Sequence, residues 1–308
     1  MIIVFGSMNI DIVMPVDNFP KPGETVMCAT DYLSRAGGKG ANQAVAAARA
    51  GAKVAIVGQV GDDSFGRRCT NNLKNQSIWT SGVGMSERPT GCATIAVDMN
   101  GENFIMVAPG ANLDAKADQV PDEILSAKNI LMTQLELPKD ETFSVMARAH
   151  ALGAQTILNA SPAGHIPKEV LGTLSYLIVN EIEAQQLAMG LGIMAANATD
   201  LAKKLAQQGK FVCIITMQEK GSIAAHGNDV YEQPAMPVEV VDTTGAGDTF
   251  CGVFAAYLHA GHNWLSALHH ASVGASLSCL GLGAQAGIPF IEDIEKSVAS
   301  VPGPKKVA

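Results

Sequence analysis

Charge is scarce in this chain, and positive charge is scarcer still. Only 16% of its 308 residues are charged, with 21 Lys and Arg against 29 Asp and Glu, a formal net charge of −8. A surface without a basic excess excludes non-specific nucleic-acid binding, which needs Lys and Arg to displace counterions. Small phosphorylated ligands remain within reach, because a few backbone N–H groups, a metal ion and one or two cations suffice to hold them. Paired cysteines are also missing. Cys28, Cys69, Cys92, Cys213, Cys251 and Cys279 are scattered with no C-x-x-C, which argues against both a disulfide framework and a zinc site. They are expected to be buried small apolar residues in a reducing compartment. The seven histidines form no metal-binding spacing. His259, His262, His269 and His270 are expected as helix caps or on solvated faces, and the scattered methionines as core filler. No run approaches the roughly 18 apolar residues that a membrane span needs. The opening Met1–Gly6 has no basic stretch before its apolar residues, so it reads as a first core strand rather than a signal peptide. The expected address is the cytoplasm.

What is present is a core-forming α/β pattern, 47% hydrophobic overall. Short apolar runs at Ile2–Phe5, Val54–Val57, Ile130–Met132, Gln155–Leu158, Leu177–Val179 and Phe211–Thr216 predict strands. Between them, Ala41–Arg49, Asp63–Gln76, Lys139–Leu152, Glu181–Met189 and Thr199–Gln208 carry helical apolar spacing. Gly51, Gly153 and Gly209 stand where helices need a left-handed last residue. Such alternation implies a mostly parallel sheet covered on both faces. The whole chain, 1–308, is expected as one domain.

Two stretches break the rhythm. The first, about 12–34, holds Pro15, Pro20, Pro22 and Gly23. The second, about 90–108, joins β-prone runs through Asn100-Gly101, a hairpin signal. Together they predict a small extra sheet serving as a lid, because long excursions from compact α/β folds are often functional. Pro302–Lys306 is expected to be a frayed tail.

Two glycine clusters each open a helix, Ala36-Gly37-Gly38-Lys39-Gly40-Ala41-Asn42 and Asp242-Thr243-Thr244-Gly245-Ala246-Gly247-Asp248. Small residues let backbone approach a ligand, and first-turn N–H groups favour an anion. Lys39 is followed by Gly40, so the P-loop pattern fails. Phe250 stands where the dinucleotide fingerprint needs its third glycine. A carboxylate on a first helical turn can simply answer the helix dipole. In a phosphoryl-transfer site it does more: Gly245, Ala246 and Gly247 would form an anion hole, and Asp248 would take the proton of the attacking hydroxyl.

These motifs resemble those of the ribokinase-like (PfkB) carbohydrate kinases, over nearly the whole chain. Gly6-Ser7-Met8-Asn9-Ile10-Asp11 is similar to the family's first strand and substrate turn, and Phe19–Thr25 to its lid entry. Gly37–Ala44 and Val241–Phe250 are similar to its two signatures. The resemblance implies a three-layer α/β sandwich with a mostly parallel central sheet and a small β lid. It implies ATP-dependent phosphorylation of a sugar or nucleoside, D-ribose ahead of deoxyribose, fructose or adenosine, with a non-catalytic sugar-binding regulator on the same fold as the remoter alternative. Asn9, Asp11, Gly38, Lys39, Asn42 and Glu136 would bind the sugar, with Asp248 as base. Asn180, Glu183, Thr216, Gly221, Gly247 and Ser272 would serve ATP and its Mg²⁺, although Asn180 and Glu183 also fit a plain capping box. The chain departs from the usual T-x-G-x-x-G at Gln218, and carries Ser272 where relatives often have His or Asn. A potassium site would draw on Asp242, Thr244, Ser278, Gly281, Gly283 and Gly287, the last standing where relatives often offer a serine. Partners would be the sugar and ATP, with neither nucleic acid nor membrane, and a second copy clasped through the lid as a homodimer.

Overall fold

The computed structural model describes residues Met1–Ala308. The chain runs through β1 (Ile2–Phe5), β2 (Asn9–Pro15), β3 (Leu33–Gly37), α1 (Lys39–Arg49), β4 (Val54–Gly61), α2 (Ser64–Asn75) and β5 (Trp79–Ser86). It continues with β6 (Gly91–Val97), β7 (Asn103–Ala108), β8 (Ile130–Thr133), α3 (Lys139–Ala151), β9 (Gln155–Asn159), α4 (Lys168–Leu171), β10 (Tyr176–Asn180) and α5 (Glu181–Gly190). The last third holds α6 (Ala198–Ala206), β11 (Val212–Thr216), β12 (Ser222–His226), β13 (Asp229–Gln233), α7 (Ala246–His259), α8 (Trp264–Ser278), α9 (Ile291–Val298) and β14 (Lys305–Lys306).

Ten strands form the main sheet in the order β14-β13-β12-β11-β10-β9-β8-β1-β4-β5. Every pair from β11 to β5 is parallel, and β12, β13 and β14 add an antiparallel edge. The period-2 geometry of a strand decides which side chain meets which layer. Ile2 and Val4 of β1 face a core built with α1, α7 and α8, whereas Ile3 and Phe5 face a second core built with α3, α5 and α6. Burial on both faces is why these strands read as unbroken apolar runs.

A separate four-stranded sheet, ordered β3-β2-β6-β7, arises from the two irregular stretches. Its hairpin turns at Asn100-Gly101, where Gly101 has φ +81° and the Asp98 carboxylate accepts from the N–H groups of Asn100 and Glu102, each at 2.9 Å. The left-handed turn residue and the Asx-type capping explain the Asn-Gly signal. β7 is an edge strand exposed throughout, with Phe104, Ile105, Met106 and Val107 open to solvent.

Several expectations are corrected. The C-terminus is not frayed: β14 pairs with β13, Lys306 reaches Asp229 at 2.7 Å, and Val230 N–H donates to Ala308 O. All six cysteines are free, but Cys28 is exposed and Cys92 half-buried rather than core residues. Met27, Met85, Met99, Met106, Met189 and Met194 are exposed, so methionine is not confined to the core. His270 is buried and stacked on Tyr257, with ring centroids 4.0 Å apart, instead of lying on a solvated face.

Helices α1 and α7 touch backbone to backbone at Gly252, where an added Cβ would lie 2.5 Å from Ala46 Cβ and from Gln43 O. Overpacking such a contact costs roughly 1–3 kcal/mol. Gly252→Val is therefore expected to lower stability by about that amount in denaturant titration. An unchanged midpoint would show that the two helices separate freely.

Candidate active site

The parallel strands all end at one edge of the sheet, and polar residues close several of them. Ser7 and Asn9 follow β1, Gln134 and Glu136 follow β8, Asn159 closes β9, Asn180 closes β10 and Thr216 closes β11. Asn180 and Thr216 are register partners across β10 and β11. Ligands of open α/β sheets bind beyond the carboxyl ends of the strands, which is where these residues stand.

The two glycine clusters deliver their helices to this edge. Gly38 precedes α1 with φ +89°, and an added Cβ at Gly40 would lie 2.4 Å from the Gly6 carbonyl carbon, so the helix start is pressed onto the end of β1. Gly245 caps α7 in the left-handed conformation, φ +79°, packed against the backbone of Ala284. Asp248, only 7% exposed, lies on the first turn of α7. Its Oδ2 accepts from Asn42 Nδ2 at 2.9 Å and its Oδ1 from Gln43 Nε2 at 3.0 Å. Two amide donors meet the demand that a buried carboxylate be hydrogen-bonded.

Beside Asp248 lies a cleft of about 130 Å³, lined among others by Lys39, Asn180, Glu183, Thr216, Gly245 and Gly247. Apart from its chain neighbours and the backbone of its own helix, nothing lies within 4 Å of where a Gly247 Cβ would stand, so this face of the turn is open. Ala246 N–H instead donates to Thr243 O at 3.1 Å. Asn180 and Glu183 do form a capping box, Asn180 Oδ1 accepting from Glu183 N–H at 2.8 Å and Glu183 Oε2 from Asn180 N–H at 2.9 Å. They line the cleft at the same time.

The other expected sugar residues gather on the lid side. Glu136 Oε2 accepts from Lys39 N–H at 3.0 Å and from the Ser7 hydroxyl. Asn9 Oδ1 accepts from Asn112 Nδ2 at 2.8 Å, and Asn112 Oδ1 in turn takes Met8 N–H at 3.0 Å. Asp11, on β2, packs against Gly37 on β3, where a Cβ would lie 2.0 Å from its carboxylate. Burial pushes the Asp11 carboxyl up from 3.8 to about 6, and Glu136 and Asp248 add to the rise. For Lys39, burial alone would depress the ammonium, but the charges of Asp248, Glu136 and Glu183 outweigh it and raise its pKa. One cation thus stands among several carboxylates, a balance suited to a site that brings acidic groups toward an anionic ligand.

Some expected residues are engaged elsewhere. Ser272 is buried and its hydroxyl donates to Pro234 O at 3.0 Å, away from the cleft lining. Gly221, φ +91°, is pressed against the backbone of Gln233, Pro234 and Ala235. Gln218 adopts φ +53°, the left-handed conformation that a glycine would take more easily at this departure from the usual loop.

The expected cation ligands come from two segments, 242–244 before α7 and 278–287 after α8, which meet at Asp242 and Gly283. Asp242 Oδ1 accepts from Thr244 N–H at 2.9 Å and its Oδ2 from Gly283 N–H at 2.7 Å. Partial burial would raise the Asp242 pKa, but these donors and the nearby Arg35 guanidinium bring it below the ordinary range. Ser278 O and Gly281 O converge on Gly287, where an added Cβ would stand 2.2 Å and 3.3 Å from them. In this backbone a serine at 287 would collide with Ser278 O, so glycine is the residue that fits. The donor set is all oxygen, which suits a hard cation such as potassium and not a thiolate- or imidazole-seeking metal.

Sequence reasoning missed Gln43, Gln134, Asn112, Asn159 and Gln285. Gln43 is completely buried and joins Asp248 to Asn159 at 3.0 Å and to Gln134 at 2.6 Å. The signal available was a polar residue ending an apolar strand, as in Asn159 and Gln134.

The chain matches the pfkB family carbohydrate kinase profile over residues 1–291. This chain belongs to the pfkB family of carbohydrate kinases. It is 39% identical to the ribokinase of Bacillus subtilis, across 96% of this chain and 98% of that protein. The fold is similar to the crystal structure of Thermotoga maritima ribokinase, with TM-score 0.90, 35% identity, and 97% and 99% of the two chains covered. It is similar also to Arabidopsis thaliana ribokinase complexed with ribose and ATP, with TM-score 0.87, 29% identity and coverage of 96% and 98%. The PfkB kinase core, with its main sheet and lid, is therefore the frame of this site.

The raised Asp11 carboxyl carries a stability consequence. A carboxyl whose folded pKa lies above its unfolded value weakens the fold where it must ionise. That penalty is absent below 3.8, grows between 3.8 and about 6, and is complete above it. Asp11→Asn is therefore expected to be more stable than the natural protein at pH 7.5 and to match it near pH 4. Thermal unfolding at both pH values checks this, and a stability difference independent of pH would contradict it.

Proposed function

We propose that this kinase transfers the γ-phosphoryl group of ATP to the 5-hydroxyl of D-ribose, giving ribose 5-phosphate and ADP. The observation that carries the reading is Asp248. It is buried, oriented by two amides of α1, and placed where the anion-favouring start of α7 meets the cleft. The likeness to a ribokinase seen with ribose and ATP supports the choice of substrates.

Asp248 takes the proton of the sugar hydroxyl as the oxygen attacks the γ-phosphorus. The new O–P bond forms, the bond to the bridging β–γ oxygen breaks, and its electron pair leaves with ADP. The N–H groups of Gly245 and Gly247 at the start of α7 stabilise charge on the transferred group, while Ala246 N–H stays on Thr243 O and shapes the turn. Lys39 supplies positive charge between the sugar and phosphate sides. Asn9, Asp11, Gly38, Asn42 and Glu136 orient the sugar, and Asn112 and Ser7 hold two of them in place. Asn180, Glu183 and Thr216 border the triphosphate, where Mg²⁺ accompanying ATP would offset its charge. Potassium held by Asp242, Thr244 and the Ser278, Gly281 and Gly283 carbonyls would stiffen the loop behind Gly245. Gly287 contributes shape and no side-chain ligand.

The four-stranded sheet acts as a lid, and its exposed Phe104–Val107 edge would be covered by the lid of a second copy. An unpaired apolar edge strand is a ready template for pairing. No helix is long and apolar enough to cross a membrane. Six free cysteines suit the reducing cytoplasm.

An ATP-consumption assay over D-ribose, 2-deoxyribose, fructose and adenosine tests the substrate. Turnover is expected to be highest with D-ribose and higher in potassium than in sodium. Preference for another acceptor would replace ribose, and no acceptor-dependent turnover would refute the kinase reading. Sedimentation is expected to give a dimer that Phe104→Lys converts to monomer; a monomeric natural protein would refute the clasp.

A further inference from the structure

We infer that Gln285 is a positioning residue for Asp248, acting through the amide of Asn42; this rests on the kinase reading above. An asparagine amide can present either oxygen or nitrogen, and only its NH₂ end can donate to a carboxylate. At Asn42 the choice is made from behind. Gln285 Nε2 donates to Asn42 Oδ1 at 2.9 Å, which leaves Asn42 Nδ2 for Asp248 Oδ2, also at 2.9 Å. Gln285 is itself oriented, because Asn72 Nδ2 donates to Gln285 Oε1 at 2.7 Å. The result is a one-way file of donors, Asn72 to Gln285 to Asn42 to Asp248, running from α2 to the first turn of α7. Each amide polarises the next, so the donor that reaches the carboxylate is strengthened.

The backbone around Gln285 is anchored as well. Arg49 Nη1, near the end of α1, donates to Gln285 O and to Ile288 O, each at 2.8 Å. Its Nε is held by Gln76 at 2.9 Å. Gln285 lies between Gly283, whose N–H binds Asp242, and Gly287, on which the Ser278 and Gly281 carbonyls converge. The loop proposed to meet the cation therefore contains the residue that orients the amide on Asp248. Ordering of that loop, by whatever cause, is felt at Asp248 through Asn42. Gln43, the other donor to Asp248, is fixed independently by Gln134 and stays in place when the file is disturbed.

The test exploits polarity in place of size. Gln285→Met removes the donor and leaves Asn42 free to choose. Gln285→Glu keeps the shape, but its carboxylate can only accept, so Asn42 turns its NH₂ toward residue 285 and its oxygen toward Asp248. If the role is positioning, kcat with D-ribose falls about ten-fold in Gln285→Met and on the order of a hundred-fold in Gln285→Glu. KM for ATP should change little in either, which separates reversal of the amide from repulsion of the nucleotide by the added charge. Asn72→Asp, farther from the chemistry, reverses the file in the same sense and should lower kcat more than Asn72→Ala. Unfolding midpoints of all four variants are read alongside.

A purely structural role predicts the opposite order, with the isosteric Glu and Asp replacements milder than Met and Ala. That order, or a loss confined to KM for ATP, overturns the inference while leaving the kinase reading intact. Absence of ribose-dependent turnover in the natural protein overturns the kinase reading and this inference with it.

Discussion

A carboxylate can be buried in a protein only if donors replace the water it gives up, and the site is organised around meeting that demand at Asp248. The donors come from a different helix. Asn42 and Gln43 stand on α1, one turn into the helix that the first glycine cluster presses onto β1, and Asp248 stands on α7 after the second. The two motifs lie far apart in sequence and meet because α1 and α7 pack closely at Gly252, against the Ala46 methyl and the backbone of Gln43 and Ala47. The close packing of these helices thus fixes which amides reach the Asp248 carboxylate.

Around this contact the charges are arranged in opposition. Asp248, Glu136 and Glu183 act on Lys39, and the carboxyl of Asp11 is raised by its burial first and by the charges of Glu136 and Asp248 after it. A buried site with an excess of carboxylates is unfavourable in isolation. In the proposed reaction it becomes useful, because ligand hydroxyls would donate to the carboxylates and Lys39 would face the phosphates. The sheet supplies the frame: parallel strands bring the residues after β1, β8, β9, β10 and β11 to one edge, and the lid strand β2 carries Asp11 over it.

Much of this was legible in the sequence, for physical reasons that also mark where it stopped. The interior strands β1, β8, β10 and β11 are buried on both faces and read as continuous apolar runs. β5 was missed because Trp79–Ser86 is a partly exposed edge with interleaved glycine and serine. β12 was missed because its buried run Ser222–Ala225 is short and mostly small residues, β13 because it is half exposed and carries charge, and the two-residue β14 has no pattern of its own. Within the site, Asp248, Lys39 and Asn42 were visible because their glycine motifs are local in sequence. Gln43, Asn159 and Gln285 were not, since an amide acquires its role only from partners that the fold brings to it. Gln218 shows the reverse case: its departure from glycine was visible, but its left-handed backbone was not.

In the proposed reaction Asp248 moves a proton and does not simply shape the pocket. The most direct measurement compares Asp248→Asn with the natural protein in single-turnover phosphoryl transfer from ATP to D-ribose, with ribose binding measured calorimetrically on the same samples. Transfer is expected to slow by roughly a hundred-fold or more, as for loss of a general base, with binding changed only slightly. Transfer at the natural rate, or a loss explained entirely by weaker ribose binding, would contradict it.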